Sequence, residues 1–240
     1  MIRQGDRFAV TVDAVVEKRN GKKLYLIEGL DILVDGDVMG TLQKLDDEKE
    51  SEEPKNTIQV FRHKPVSVKR DEIEEGDQIA FTLSDGREYT ATVIEKNDGY
   101  MLFIFDECVC RRPMNANGRT EGGYLKSDLR KYLTEEFYQM LPDWLTKMIL
   151  PDINGDPLYL LSLTMVAGLD DDFNECDGQI PYFASEKNRV AEYQNETANW
   201  WLRDVVSATY FALVNYFGNC TYYGASSSLG VRPAFAISLS

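Results

Sequence analysis

The sequence predicts an α+β fold in two parts, a small β module over residues 1–62 and a larger mixed domain over residues 63–240. Three observations predict it. Short apolar runs broken by Asn-Gly and Asp-Gly pairs fill the first hundred residues. One helical stripe follows Ser127, and after it comes a long irregular stretch that returns to strand-like runs only near Asn199.

The module opens on Phe8, Val10, Val12 and Ala14, apolar at every second position, which is the period of a half-buried strand. Asn20-Gly21 separates that run from Leu24–Ile27, and Asn-Gly between apolar runs is a strong hairpin signal. A further turn is expected at Asp35-Gly36. The stretch Asp46–Glu53 contains no apolar residue and reads, with its flanks out to residue 57, as a solvated linker. A short strand is expected around Ile58–Phe61, followed by the only histidine, His63, between two basic residues. One histidine argues against His-rich metal sites and a Ser-His-Asp triad.

From Gly76 a three-strand meander is expected: Ile79–Leu83, Tyr89–Ile94 and Tyr100–Phe105, with turns at Asp85-Gly86 and Asn97–Gly99. Met101–Phe105 is apolar throughout, as a strand buried on both faces requires. Cys108 and Cys110 lack a second cysteine pair, so structural thiols are favoured over a zinc site. Ser127 reads as an N-cap and Leu129, Tyr132, Leu133, Phe137, Met140 and Leu141 as the apolar stripe of a helix that Pro142 ends. Asp152–Asp156 and Asp170–Gly178 invite calcium, but neither completes an EF-hand loop, and Asx turns are expected instead.

The whole chain has 240 residues, a net charge of −14 and 43% hydrophobic residues. That composition describes a folded globular protein and opposes broad binding to nucleic acid. No apolar run reaches membrane-spanning length and the N-terminal stretch lacks a signal-peptide hydrophobic region, so cytoplasmic or virion-associated placement is expected. The four cysteines then read as reduced thiols, and no cofactor is expected.

The residues Asn199–Ala236 stand apart. Val205–Val231 contains no Asp, Glu, Lys or Arg, where the average of 28% predicts about seven. Tyr210, Phe211, Asn215, Tyr216, Phe217, Asn219, Thr221, Tyr222, Tyr223, Ser226 and Ser227 make it a mix of rings and small polar residues, the chemistry of adaptable binding surfaces. A Gly/Ser/Asn-rich loop over the core is the competing reading. Either Phe211 or Phe217 is expected to face inward. Trp200 and Trp201 alternate faces on a strand, which predicts one in the core and one partly exposed. Arg203 and Arg232 either contact a ligand or pin the ends of the segment through buried ion pairs with carboxylates, and the second is the expectation.

The pattern WWLR…VN…G…GVRPAF resembles the closing segment of an uncharacterised bacterial and phage family with a C-type-lectin-like fold, related to formylglycine-generating enzymes. It is similar to the variable proteins of diversity-generating retroelements. The resemblance is strongest over Asn199–Phe235, extends to about Gly76 and leaves out the first 60 residues. It implies a C-type-lectin-like domain and a surface diversified by a reverse transcriptase encoded nearby, which mutates adenines mainly in Asn codons. Such changes cannot give Lys, Glu, Gln, Met or Trp, and Val205–Val231 contains none of the five.

Three functions follow as expectations. A non-enzymatic module would bind a protein or cell-surface ligand through residues 207–228. A structural phage virion or cell-surface component would share the fold without diversified binding. A formylglycine-type oxidase would need a reactive cysteine pair, with Cys176 the sole plausible partner of Cys220. It is disfavoured, because no Lys, Arg or His lies within ten residues of Cys220 to activate it.

Overall fold

The computed structural model describes residues 12–17, 23–27, 33–35, 57–62 and 64–239, with side chains at Arg70 and from Glu72 onward. The Asn20-Gly21 turn, the acidic stretch 46–53 and His63 lie outside the described residues. The first sheet joins β1 (Val12–Glu17), β2 (Lys23–Ile27) and β3 (Leu33–Asp35), all antiparallel. The next strands are β4 (Thr57–Arg62) and β5 (Lys64–Lys69). The expected meander follows as β6 (Gln78–Thr82), β7 (Glu88–Lys96) and β8 (Tyr100–Phe105). Then come β9 (Cys110–Arg112), β10 (Ile149–Leu150), β11 (Ala191–Tyr193) and β12 (Glu196–Ala198). The chain closes with β13 (Trp200–Val205), β14 (Tyr210–Val214), β15 (Cys220–Gly224), β16 (Leu229–Val231) and β17 (Ala234–Ser238).

Two larger sheets organise these strands into an α+β fold. The seven-stranded sheet runs β10-β17-β8-β7-β6-β4-β5, so β4, on the N-terminal side of residue 63, pairs with β6 at Val60↔Ile79. The five-stranded sheet runs β15-β14-β13-β16-β9. β8 is interior, between β7 and β17, and Met101–Phe105 are all buried, as an unbroken apolar run requires. Its rings knit the core: Phe103 stacks on Phe235 at 5.2 Å, and Phe105 meets Phe81, Phe137 and Phe235 within 6 Å.

The Ser127 hydroxyl caps the helix Asp128–Lys131, accepting from the Arg130 amide at 3.0 Å. The helix widens into a π turn over Tyr132–Phe137 and tightens over Tyr138–Met140. Leu129, Leu133 and Phe137 form its buried stripe, Tyr132 and Met140 pack against the core half-buried at its margin, and Leu141 turns extended before Pro142. Arg130 grips Asp156 with two bonds of 2.6 Å, which ties the helix to the loop before Pro157.

The chain crosses between the two sheets at Arg232-Pro233, with β16 in one and β17 in the other. Both crossing residues are buried. Arg232 donates from Nε to the Phe105 carbonyl at 2.8 Å and from Nη1 to the Asn188 carbonyl at 3.2 Å, with its guanidinium 5.2 Å from the Trp200 ring. The expected carboxylate partner is replaced by backbone carbonyls. Burial lowers the Arg232 pKa, and aligned carbonyl dipoles with an aromatic face take the role of a counter-ion. Arg203 is half-buried, and neither arginine makes an ion pair among the described residues.

Trp200 and Trp201 are both fully buried, which corrects the expectation of one partly exposed ring. The alternation rule exposes one side chain only where one sheet face meets water, and here both faces are covered. Trp201 donates to the Arg112 carbonyl at 2.9 Å and Trp200 to the Arg189 carbonyl at 2.8 Å, so each indole has its polar atom satisfied on its own side.

Candidate functional site

β14 and β15 form a hairpin in the register Tyr210↔Gly224, Ala212↔Tyr222, Val214↔Cys220. β14 is interior, and Phe211–Val214 are buried between β13 and β15. β15 is the edge strand, and here the rings come out. Tyr210, Tyr216, Phe217, Tyr222 and Tyr223 are between 43% and 64% exposed on one hairpin of fifteen residues. Phe211 is fully buried and offers no surface, which corrects its place among the candidate binding residues. Of the pair with one ring expected inward, Phe211 is inside and Phe217 outside.

Strand alternation sorts the rest. Tyr210 and Tyr222 share a face with ring centroids 5.5 Å apart, while Tyr223 lies on the opposite face, opposite Phe211 in the register. Phe173 adds a third ring to the first group, 6.0 Å from Tyr222 and edge-on. Its backbone is left-handed (φ 63°), inside the Asp170–Asn174 turn. Sequence reasoning missed Phe173, although a single aromatic within a run of acids is a visible oddity.

At the far end of the hairpin Tyr216 and Phe217 lie 4.2 Å apart. The Asn215 carboxamide oxygen accepts from the amides of Phe217 and Asn219, and Asn199 Oδ1 accepts from the Tyr216 amide. Asn215 therefore shapes the turn, whereas Asn219 is exposed. Gly218 has φ 89°, and a Cβ there would sit 2.6 Å from the Glu186 carbonyl, so only glycine lets the turn press on that neighbour. Arg111, Asn199 and Ser228 join Tyr216 around a shallow cleft of about 190 Å³. Thr221 and Ser227 are half-buried, and Ser226 is exposed beside Gly118. The predicted residues thus gather at both ends of one edge strand, with the loop around Gly118 beside one end. Thr120 fixes that loop by donating to the Ser207 carbonyl at 2.7 Å.

The acidic loops are internally bonded. Asp152 accepts from the amides of Asn154 and Asp156, and Asp170 from those of Asp172 and Asn174. The Asn174 backbone amide, with further hydrogen bonds, holds the Asp170 carboxyl below its usual pKa, so it stays ionised. No group of three or more His, Cys, Asp or Glu placed to hold a metal occurs among the described residues.

Asp204, near the end of β13, accepts the Leu163 amide, and burial raises its pKa. An acid whose folded pKa lies above its unfolded one stabilises the fold when protonated. That contribution is complete below the ordinary carboxylate range and is lost as pH rises through the folded value. Urea midpoints of the native chain and Asp204→Asn should therefore differ least favourably for the native chain at pH 7. The native chain gains on the variant as pH falls toward 4. A gap that stays constant across that range would exclude Asp204 as the source.

The fold and this surface define an α+β protein that displays uncharged rings on the edge hairpin of a twisted sheet. Residues 98–239 match the family model described as Domain of unknown function (DUF6273), and the chain belongs to that family. Searches of curated proteins and of solved structures returned no match. No helix among the described residues is long and apolar enough to cross a membrane.

Proposed function

We propose that the chain is a non-enzymatic binding protein of C-type-lectin-like architecture. It recognises a protein partner, free or on a cell surface, through the rings of the β14–β15 hairpin. The observation that carries this reading is the concentration of five half-exposed rings on one fifteen-residue hairpin whose inner strand is buried. Large rings left in water give contact area at low rotamer cost, which is what recognition surfaces use. The absence of charge between Val205 and Val231 lowers the desolvation cost of docking there. The resemblance to retroelement-diversified variable proteins adds that these positions change between copies.

The thiols support a non-enzymatic reading. Burial raises the Cys220 pKa to about 11 and the Cys108 pKa to about 12, so both are protonated and unreactive at neutral pH. Cys176 is exposed, with its sulfur 3.8 Å from the Thr164 hydroxyl. Maleimide should therefore label one thiol per native chain rapidly at pH 7, Cys176, and the other three only in denaturant. Rapid native labelling of Cys220 would reopen the oxidase reading.

Display and stability should separate. Tyr223→Ala changes unfolding free energy by less than about 0.5 kcal/mol, and Tyr216→Ala, whose ring lies 4.2 Å from Phe217, by at most about 1.5 kcal/mol. Tyr222→Ala costs roughly 0.5–1.5 kcal/mol through its ring contacts with Tyr210 and Phe173. The diversification is tested in DNA. A near-copy of the codons for residues 199–235, differing only at adenines and lying beside a reverse transcriptase gene, would identify the variable positions directly. Its absence would remove diversification from the proposal.

A further inference from the structure

The backbone of β15 carries information that the rings do not. Asn215 N donates to the Asn219 carbonyl and Ala225 N to the Thr209 carbonyl, at 2.8 Å each. Hydrogen-bonded and non-bonded pairs alternate along an antiparallel ladder, so these two bonds make Leu213↔Thr221 and Phe211↔Tyr223 the bonded pairs. The amides of Cys220, Tyr222 and Gly224, with the carbonyls of Cys220 and Tyr222, therefore point away from β14. β15 ends its sheet, and these outward groups meet no partner among the described residues. The Gly224 carbonyl is taken by the Ser227 amide.

An open edge of this kind is a template for another strand unless it is blunted by charge, proline or a covering element. β15 has no charged residue and no proline. What flanks it is acidic: Phe173 against Tyr222 sits in the loop that carries exposed Asp171, Asp172 and Glu175, on a chain of net charge −14. A strand laid along β15 would set alternate side chains over the Tyr210–Tyr222–Phe173 rings and beside these carboxylates. Lysine or arginine suits that place, through cation–π contact and charge attraction together. A second copy of the chain would bring its own acidic loop and be repelled.

We propose that the partner is captured by strand addition. An extended polypeptide segment with Lys or Arg at every second position pairs with the outward amides and carbonyls of Cys220, Tyr222 and Gly224. This rests on the binding function proposed for the same hairpin, and it names the shape and charge of what is bound.

The probe is a displayed library of random twelve-residue peptides, panned on the full-length native chain and on a variant with Tyr210, Tyr222 and Tyr223 replaced by serine. Enriched peptides are then synthesised with and without N-methylation at alternate residues. The expected result is peptides with alternating basic residues, bound to the native chain and not to the triple variant. N-methylation on the strand-facing residues should weaken them by about tenfold or more, the scale of a lost hydrogen bond or two. Tyr222→Pro, which removes an outward amide, should weaken them well beyond Tyr222→Ala. The ladder to β14 does not use that amide, so the proline variant is expected to fold, and the methylated peptides give the same answer if it does not.

Enriched peptides that lose affinity in Tyr222→Ala and ignore N-methylation would overturn strand addition and leave the binding surface standing. Enriched peptides without basic residues would overturn the charge assignment. A concentration-dependent dimer abolished by Tyr222→Pro would assign the edge to a second copy instead. No enrichment over the triple variant would overturn the binding function together with this inference.

Discussion

Trp201→Ala lowers the unfolding free energy by about 3–5 kcal/mol, the largest single effect expected in the C-terminal segment. The side chain is fully buried on β13, its Cα partner across the ladder is Leu213, and its indole N–H is spent on Arg112, 89 residues away. Truncation leaves a ring-sized cavity and strands the Arg112 carbonyl, two costs that add. Urea unfolding at neutral pH, set beside Tyr216→Ala, measures the difference. Near-equal midpoints for the two variants would break the division between frame and display on which the binding reading stands.

Arg130→Ala is expected to cost about 3–5 kcal/mol, because it leaves a buried charge without its partner. Asp156 is 2% exposed, and both of its carboxylate oxygens lie 2.6 Å from Arg130 donors. Removing the arginine leaves that carboxylate without its counter-charge in a largely buried site. The double variant Arg130→Ala with Asp156→Ala should recover part of the loss, since the stranded charge goes too. A double-mutant cycle read by urea denaturation gives the coupling. Additive losses would mean that the pair does not hold the helix to the loop.

The strands and the helix were legible because their signals are local. Period-two runs, Asn-Gly and Asp-Gly turns, the Ser127 cap and the stripe Leu129, Leu133, Phe137 each sit within a few residues of what they specify. The surface was legible by composition alone, and composition could not part its two components. Phe211–Val214 lack charge because they are buried, Tyr222 and Tyr223 because they are displayed, and both read the same in a list of residues. Alternation failed at Trp200-Trp201, because it presumes a wet sheet face. The partners of Arg232 were out of reach for another reason: carbonyls belong to every residue and mark no position. Phe173 was hidden by distance, 49 residues from the ring it meets.

The crossing at Arg232-Pro233 has a consequence for how this chain can change. The segment after the hairpin joins the two sheets, and its arginine is held by two main-chain carbonyls and the Trp200 ring. None of those contacts involves a side chain of the exposed hairpin positions. Within residues 207–228 the exposed positions are therefore separable from the frame, whereas Phe211–Val214, Gly218 and Ala225 are part of it. Exposed hairpin positions can be exchanged at little cost to the fold. Trp200, Trp201, Arg232 and Gly230, where a Cβ would sit 2.9 Å from the Asn199 carbonyl, cannot, and an engineer grafting a new recognition loop would cut at these two borders.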